Sequence, residues 1–271
     1  MNQKQWIQID ESSELNESRI RKSTVAVSAA PAVVVAVVLL VLGQAILGVV
    51  AAVAVFFLVR RVIRATASGV LSRSLVLREI ADDEHPRLLN IIDGLCVVSG
   101  DQRPHLYEID STYPVAAAFI NDEGDNAVLV SGAFMQMMDR VEVEGVMAHL
   151  LWRLRTGNVA LVAHVAAVTS ILAKVGLAGV ARRMADSFVS PDVVMWADIF
   201  ACQATRFPPA LASALEKCAD AQGSVDLGVV NALCFALPTD SKGDTGDRPA
   251  ASTVVSARSS TEERIAVLKE M

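Results

Sequence analysis

The sequence predicts a mostly helical α+β protein: an N-terminal transmembrane helical hairpin, then a helical domain with a small sheet. Three observations carry that prediction. Ser23 to Val59 is a run of 37 residues without a single charge. Beyond Glu84, apolar residues recur at helical spacing in several stretches. Between two of those stretches lie short strand-like segments punctuated by polar turns.

The bulk properties narrow the class. Hydrophobic residues make up 53% of 271, high for a soluble protein and matched to a domain of moderate size with a membrane anchor. A formal net charge of -6 argues against nucleic acid as a partner. Cys96, Cys202, Cys218 and Cys234 stand far apart, with no C-x-x-C spacing. They suggest neither a metal knuckle nor a disulfide framework, which fits a reducing compartment.

The elements follow in order. Residues 1–22 are polar, mixed in charge and without apolar period, and read as a cytoplasmic tail, with a short capping helix as the alternative. The segment is too acidic for the start of a signal peptide. The uncharged run (domain segment 23–60) would measure about 55 Å as one helix, against a hydrocarbon core of roughly 30 Å. Two spans, at about 25–42 and 45–59, turning near Gly43-Gln44, fit better than one tilted span. Arg19, Arg21 and Lys22 precede the run, and Arg60, Arg61 and Arg64 follow it. Positive charge at both ends places both on the cytoplasmic side, which needs an even number of crossings. The expected location is the cytoplasmic (inner) membrane, multi-pass, with the lipid bilayer as a partner.

Residues 61–83 form a basic connector, either resting on the anionic leaflet or an ordinary solvated helix. The fourth segment, 84–271, opens with a helix from His85 that Gly100 stops. RPHLYEIDSTYPVAAAFI reads as strand, turn, strand; Asn121 to Asn126 is a polar turn, and AVLVS a further strand. Gly132 starts a helix. Val159 to Val180 is apolar again and reads as a buried or membrane-resting helix, or a short re-entrant hairpin. Residues 240–253 have the composition of a flexible loop, and TEERIAVLKEM closes the chain as a short helix.

Val141 to Asn158, VEVEGVMAHLLWRLRTGN, reads as an amphipathic helix with Val143, Val146, Met147, Leu150, Leu151 and Leu154 on one face. His149 and Arg153 are four apart, so their side chains are neighbours. In zinc peptidases this frame is H-E-x-x-H, with two histidines holding the metal and the glutamate acting as base. Here it reads His149, Leu150, Leu151, Trp152, Arg153. The wider stretch, with Val130, Ser131, Gly132, Met138, Glu142, Val143, Val146, Met147, Ala148 and His149, resembles the active-site region of the HtpX-like membrane metallopeptidases, relatives of the CAAX prenyl endopeptidases.

The resemblance implies a zincin-like, metallopeptidase-type domain and extends from about Glu84 to Leu268. His85-Pro86 matches the family's opening, with His85 as a structural cap. Asp198, flanked by Ala197 and Ala201, matches the aspartate one turn after the family's third zinc ligand, a glutamate; Val194 stands at that ligand position. Pro209, Leu211, Ala212, Ala214, Leu215 and Lys217 match a later family motif, and Arg264, Ile265 and Leu268 match the closing one. In the family, the strand corresponding to Ala127, Val128, Leu129 and Val130 is an edge to which substrate backbone can add.

What departs is the chemistry. His149 is the only surviving ligand position, with Arg153 and Val194 at the other two and Leu150 at the general base. Arg153 would oppose a dication, and Leu150 takes no proton from water. No intact catalytic residue and no cofactor are therefore expected, although the parent family uses zinc. A rebuilt set of His149, Asp198 and Cys202 is the alternative; otherwise Cys202 is core and Asp198 pairs with His149 or Arg153, the latter filling the old metal site. Trp152 belongs to the same vestigial surroundings. The functional expectation is an inactive pseudopeptidase acting by binding or regulation, with a membrane protein or an active paralogue as its partner. The alternatives are an active zinc metalloendopeptidase with an altered site in membrane-protein quality control, and a structural membrane scaffold.

Overall fold

The computed structural model describes residues 3–68, 76–174, 176–188, 192–221, 233–236 and 260–271. Two long helices lead: α1 (Gln3–Val41) and α2 (Ala45–Ser68). Gly43, at φ 78°, makes the turn between them, where the sequence placed it. The helices pack against each other. Gly48 lets them approach: a Cβ there would sit 3.2 Å from the Leu39 Cβ. Both are long and apolar enough to cross a membrane, and Val34, Val38, Leu40, Ile46, Val50 and Phe57 point outward.

The polar N-terminal segment differs from the expected tail. From Gln3 onward it is helical and continuous with the apolar span. Tertiary contacts hold that extension: the Asn16 side-chain amide donates to the Thr156 carbonyl at 2.8 Å.

In the following domain, α3 (Pro86–Ser99) starts with proline in its first turn and ends at Gly100, φ 72°. His85 occupies the N-cap position in a left-handed conformation, but its side chain caps nothing. It lies 3.5 Å from Glu108 instead. Four strands make one mixed sheet: β1 (Arg78–Glu79), β2 (His105–Ile109), β3 (Ala116–Ile120) and β4 (Asn126–Ser131), in the order β1-β2-β4-β3. β4 runs parallel to β2 and antiparallel to β3. It is therefore interior. Ala127, Val128, Leu129 and Val130 are bonded on both sides and buried, so the expected peptide edge is not there. The β2–β3 connection leaves a gap that β4 fills, and the edge passes to β3.

The helices α4 (Gly132–Met137), α5 (Arg140–Arg155), α6 (Asn158–Lys174), α7 (Ala178–Phe188), α8 (Val193–Thr205) and α9 (Pro208–Asp220) follow, and α10 (Thr261–Glu270) ends the chain. α5 is the centre, packing on α8, α9, α3 and β3. A 67° bend separates it from α6, at Gly157, φ 65°. The first half of α6 is buried against α1, α2 and β3. The apolar stretch after Val159 is thus two helices with a turn at Gly176, and a buried helix over its first half. The 240–253 loop lies outside the described residues, as does part of the 61–83 connector.

Candidate functional site

Local chemistry fixes α5 before its central residues matter. Asp139 caps the helix, accepting from the Glu142 backbone at 2.8 Å, while Glu142 returns to the Asp139 backbone at 2.7 Å. The buried Glu142 carboxylate also accepts from Ser213 and Lys217, each at 2.6 Å, which ties α5 to α9. Gly145 faces the Leu211 side chain so closely that a Cβ would lie 3.3 Å from it. These fastenings set the rotation of α5, and hence where His149 and Arg153 point.

His149 is wholly buried. Its Nδ1 lies 2.8 Å from Asp198 Oδ1 on α8, and its ring stands edge-on to Phe235 at 5.3 Å. Burial lowers its pKa to about 4 even though Asp198 pulls the other way. At neutral pH it is an uncharged imidazole. Nδ1 then carries the proton and donates to the carboxylate, which leaves the Nε2 lone pair buried with no hydrogen-bond partner among the described residues.

Asp198 is the hub. Burial alone would raise its carboxyl, but Arg264 and His149 hold it down at about 2. Arg264, from α10, grips it as a fork: Nε to Oδ2 at 2.7 Å and Nη2 to Oδ1 at 2.8 Å. Arg264 Nη1 donates to the Phe235 carbonyl at 2.7 Å, and the guanidinium carbon lies 5.1 Å from the centre of the Phe235 ring.

Arg153, 0% exposed, faces elsewhere. Its Nε donates to Asn158 at 3.2 Å, and its Nη1 to the carbonyls of Leu233 at 3.2 Å and Cys234 at 3.4 Å. The expected Asp198–Arg153 pair is thus replaced by Asp198–Arg264. The fold brings α10 across α8 and α9, and Arg264 reaches the carboxylate first. The strand-like segment 233–236 completes the centre. Cys234 pairs antiparallel with Ala117 on the outer edge of β3, and the Phe235 amide donates to the Ala116 carbonyl at 2.8 Å. The edge beside His149 is therefore β3, and the chain's own backbone lies along part of it.

The other sequence candidates fall as follows. Leu150 and Val194 are buried in apolar packing. Cys202 is buried, with its thiol pushed up to about 11 by burial and by Asp198. Among the described residues no three His, Cys, Asp or Glu groups are placed to hold a metal ion, so His149, Asp198 and Cys202 do not converge as a set. Trp152 is half-buried, its ring 6.1 Å from Phe200, and the two line a cleft of about 420 Å³ with Asn16, Asn158 and Trp196.

Sequence reasoning gave Arg264 no role and missed segment 233–235. A signal for the first was present. Arg264 and Leu268 share one face of a short helix, and a cation on a buried face calls for a carboxylate. Asp198 is the one acid within α8.

A histidine helix is bound to an aspartate helix over a small mixed sheet, and the domain is carried on two helices long and apolar enough to cross a membrane. Curated proteins of one kind are similar to this chain. The Protease HtpX homolog of Dictyoglomus thermophilum is 28% identical over 171 residues, 52% of this chain and 56% of that protein. That of Tropheryma whipplei (strain TW08/27) is 26% identical over 170 residues, 52% and 58%. That of Ligilactobacillus salivarius is 30% identical over 139 residues, 50% and 47%. Over about half its length the chain is similar to these HtpX homologues. It spans about half the length of the curated relatives it matches. No family model matches it, and no solved structure matches significantly.

Proposed function

We propose that this HtpX-like chain is a membrane-anchored pseudopeptidase, with no catalytic zinc, that acts by binding or regulating a membrane protein or an active paralogue. Its hairpin crosses the cytoplasmic membrane twice, and its folded domain lies on the cytoplasmic side. The observation that carries this is the use to which Arg153 is put. The position four after His149, where a second imidazole would be needed, holds a buried guanidinium engaged with Asn158 and two backbone carbonyls. At the roughly 5.5 Å between side chains one helical turn apart, a dication would be opposed by about 6 kcal/mol at an effective dielectric near 20. Leu150 offers no base, and Val194 no carboxylate. The residues present therefore do not fit the zinc that the resemblance implies: one imidazole faces a set that needs three ligands and a water.

One observation favours the second reading, an active zinc peptidase with an altered site. His149 keeps the tautomer of a metal ligand, with Nδ1 held by a carboxylate and Nε2 unpartnered.

Metal analysis of detergent-purified protein by mass spectrometry separates the two. The natural chain is expected to carry no zinc, while Leu150→Glu/Arg153→His/Val194→Glu gains it. Stoichiometric zinc in the natural chain would overturn the pseudopeptidase reading and make a proteolysis assay the next step.

A further inference from the structure

A second cavity, of about 640 Å³, lies at the base of the hairpin, and neither His149, Asp198, Arg153 nor Arg264 lines it. Four elements wall it: α1, α2, the β3–β4 turn and α6. Its charged lining is Arg21 from α1 and Arg60 from α2, with Glu17 on α1 and Asp122 and Glu123 on the turn. Ile20, Ile63, Ala160 and Ala163 supply an apolar floor.

The position of these charges is set by the helices. Arg21 and Arg60 stand just outside the two ends of the uncharged run. From Arg21 to Val41 is about 30 Å of helix, and from Ala45 to Arg60 about 23 Å. Both guanidinium groups thus sit where a bilayer's hydrocarbon gives way to headgroups. The soluble domain is pinned at that level. His164 Nε2 lies 2.7 Å from the Ser23 hydroxyl and 3.4 Å from that of Thr24, so α6 is fastened to α1. Among the described residues, no ion pair involves Arg21 or Arg60. Both line the cleft, and Glu17 and Glu123 line it with them.

We infer that this cleft is a binding site for one phospholipid whose headgroup carries a primary ammonium beyond its phosphodiester, of the phosphatidylethanolamine type. The phosphodiester takes charge-assisted bonds from Arg21 and Arg60. The ammonium donates to Glu17 and Glu123, and the first carbons of the acyl chains lie on Ile20 and Ile63. Glu17 and Glu123 beside the two guanidinium groups disfavour a purely anionic headgroup. A quaternary choline has no N–H to give the carboxylates. The inference goes beyond the reading of the peptidase centre, and it rests on the hairpin lying in a membrane.

The test uses the full chain in vesicles of phosphatidylethanolamine, phosphatidylcholine or phosphatidylglycerol. Flotation is read first, then lipids retained after detergent transfer are counted by native mass spectrometry. One ethanolamine lipid per chain is expected, with choline and glycerol lipids retained roughly tenfold less. Arg21→Gln/Arg60→Gln is expected to reduce ethanolamine-lipid retention by about tenfold or more, and Glu17→Gln/Glu123→Gln to remove the preference over choline. Ala160→Phe fills the cleft without altering charge and is expected to abolish retention, which covers the case of an arginine variant that does not fold. Equal retention of all three lipids, or retention unchanged by the arginine and Ala160 variants, overturns the site. Displacement by soluble O-phosphoethanolamine alone would make it a site for the free headgroup and also overturn the proposal. A chain that stays in solution sinks the hairpin reading and the site together; a chain that floats but retains no lipid sinks the site alone.

Discussion

Two pairs of arginines divide the molecule. Arg153 and Arg264 lie inside the domain, and their protons are spent on Asn158, on the carbonyls of 233–235 and on Asp198. Arg21 and Arg60 lie at the rim of the apolar hairpin, line a cleft, and form no ion pair among the described residues. The residue type is the same, and the surroundings reverse its meaning. A buried guanidinium must be satisfied by the chain, so it serves stability. A guanidinium at the lipid boundary keeps its donors for whatever enters.

The largest expected effect tests the inner pair. Asp198→Ala leaves Arg264 charged and buried and His149 without its acceptor; the loss should be about 3 to 5 kcal/mol, read from urea unfolding in detergent. An unchanged midpoint would remove Asp198 as the hub. Next comes pH. His149 stays neutral in the fold down to about 4, whereas an unfolded histidine takes its proton near 6.5. Between those values the unfolded chain binds more protons, so stability falls as pH drops from about 6.5 to 4, by on the order of 2 to 3 kcal/mol. His149→Gln should flatten that part of the profile, and an unaltered slope would assign it elsewhere. Arg153→Leu strands two buried carbonyls and should cost about 1 to 3 kcal/mol, less than Asp198→Ala. A larger loss would make Arg153 the main fastening. Arg21→Gln should shift stability by less than about 0.5 kcal/mol; a shift like those of the inner residues would erase the contrast.

Local features were legible in the sequence, and long-range partners were not. The hairpin turn at Gly43, the stop of α3 at Gly100 and the frame from Glu142 to His149 all follow from short-range chemistry: charge-free length, a left-handed glycine and a capping box. The order of the strands does not. AVLVS comes last in sequence and was expected at the edge, but its place depends on the path taken between β2 and β3. Arg264 was visible only as a motif match, since nothing within TEERIAVLKEM says which carboxylate it will meet. Segment 233–236 is too short for periodicity to show, and it is held by Arg153, Arg264 and the Ala116 carbonyl, partners that only the fold supplies. The polar N-terminus lacks an apolar period, yet it is helical because α1 continues through it and Asn16 finds Thr156.

That continuity has a mechanical consequence. α1 is one rod of 39 residues, about 58 Å long at 1.5 Å per residue. It is fastened to the domain twice, by Ser23 to His164 and by Asn16 to Thr156 at the corner where α5 bends into α6. A rod so held behaves as a lever whose long arm lies among the lipids. A tilt of about 10°, well within the range open to membrane helices, would swing Asn16 by roughly 2 Å relative to Ser23 and strain the corner behind Arg153. The thickness of the surrounding bilayer is therefore a load on the segment that ends in Asn158, with Arg153 and His149 on the helix just before it.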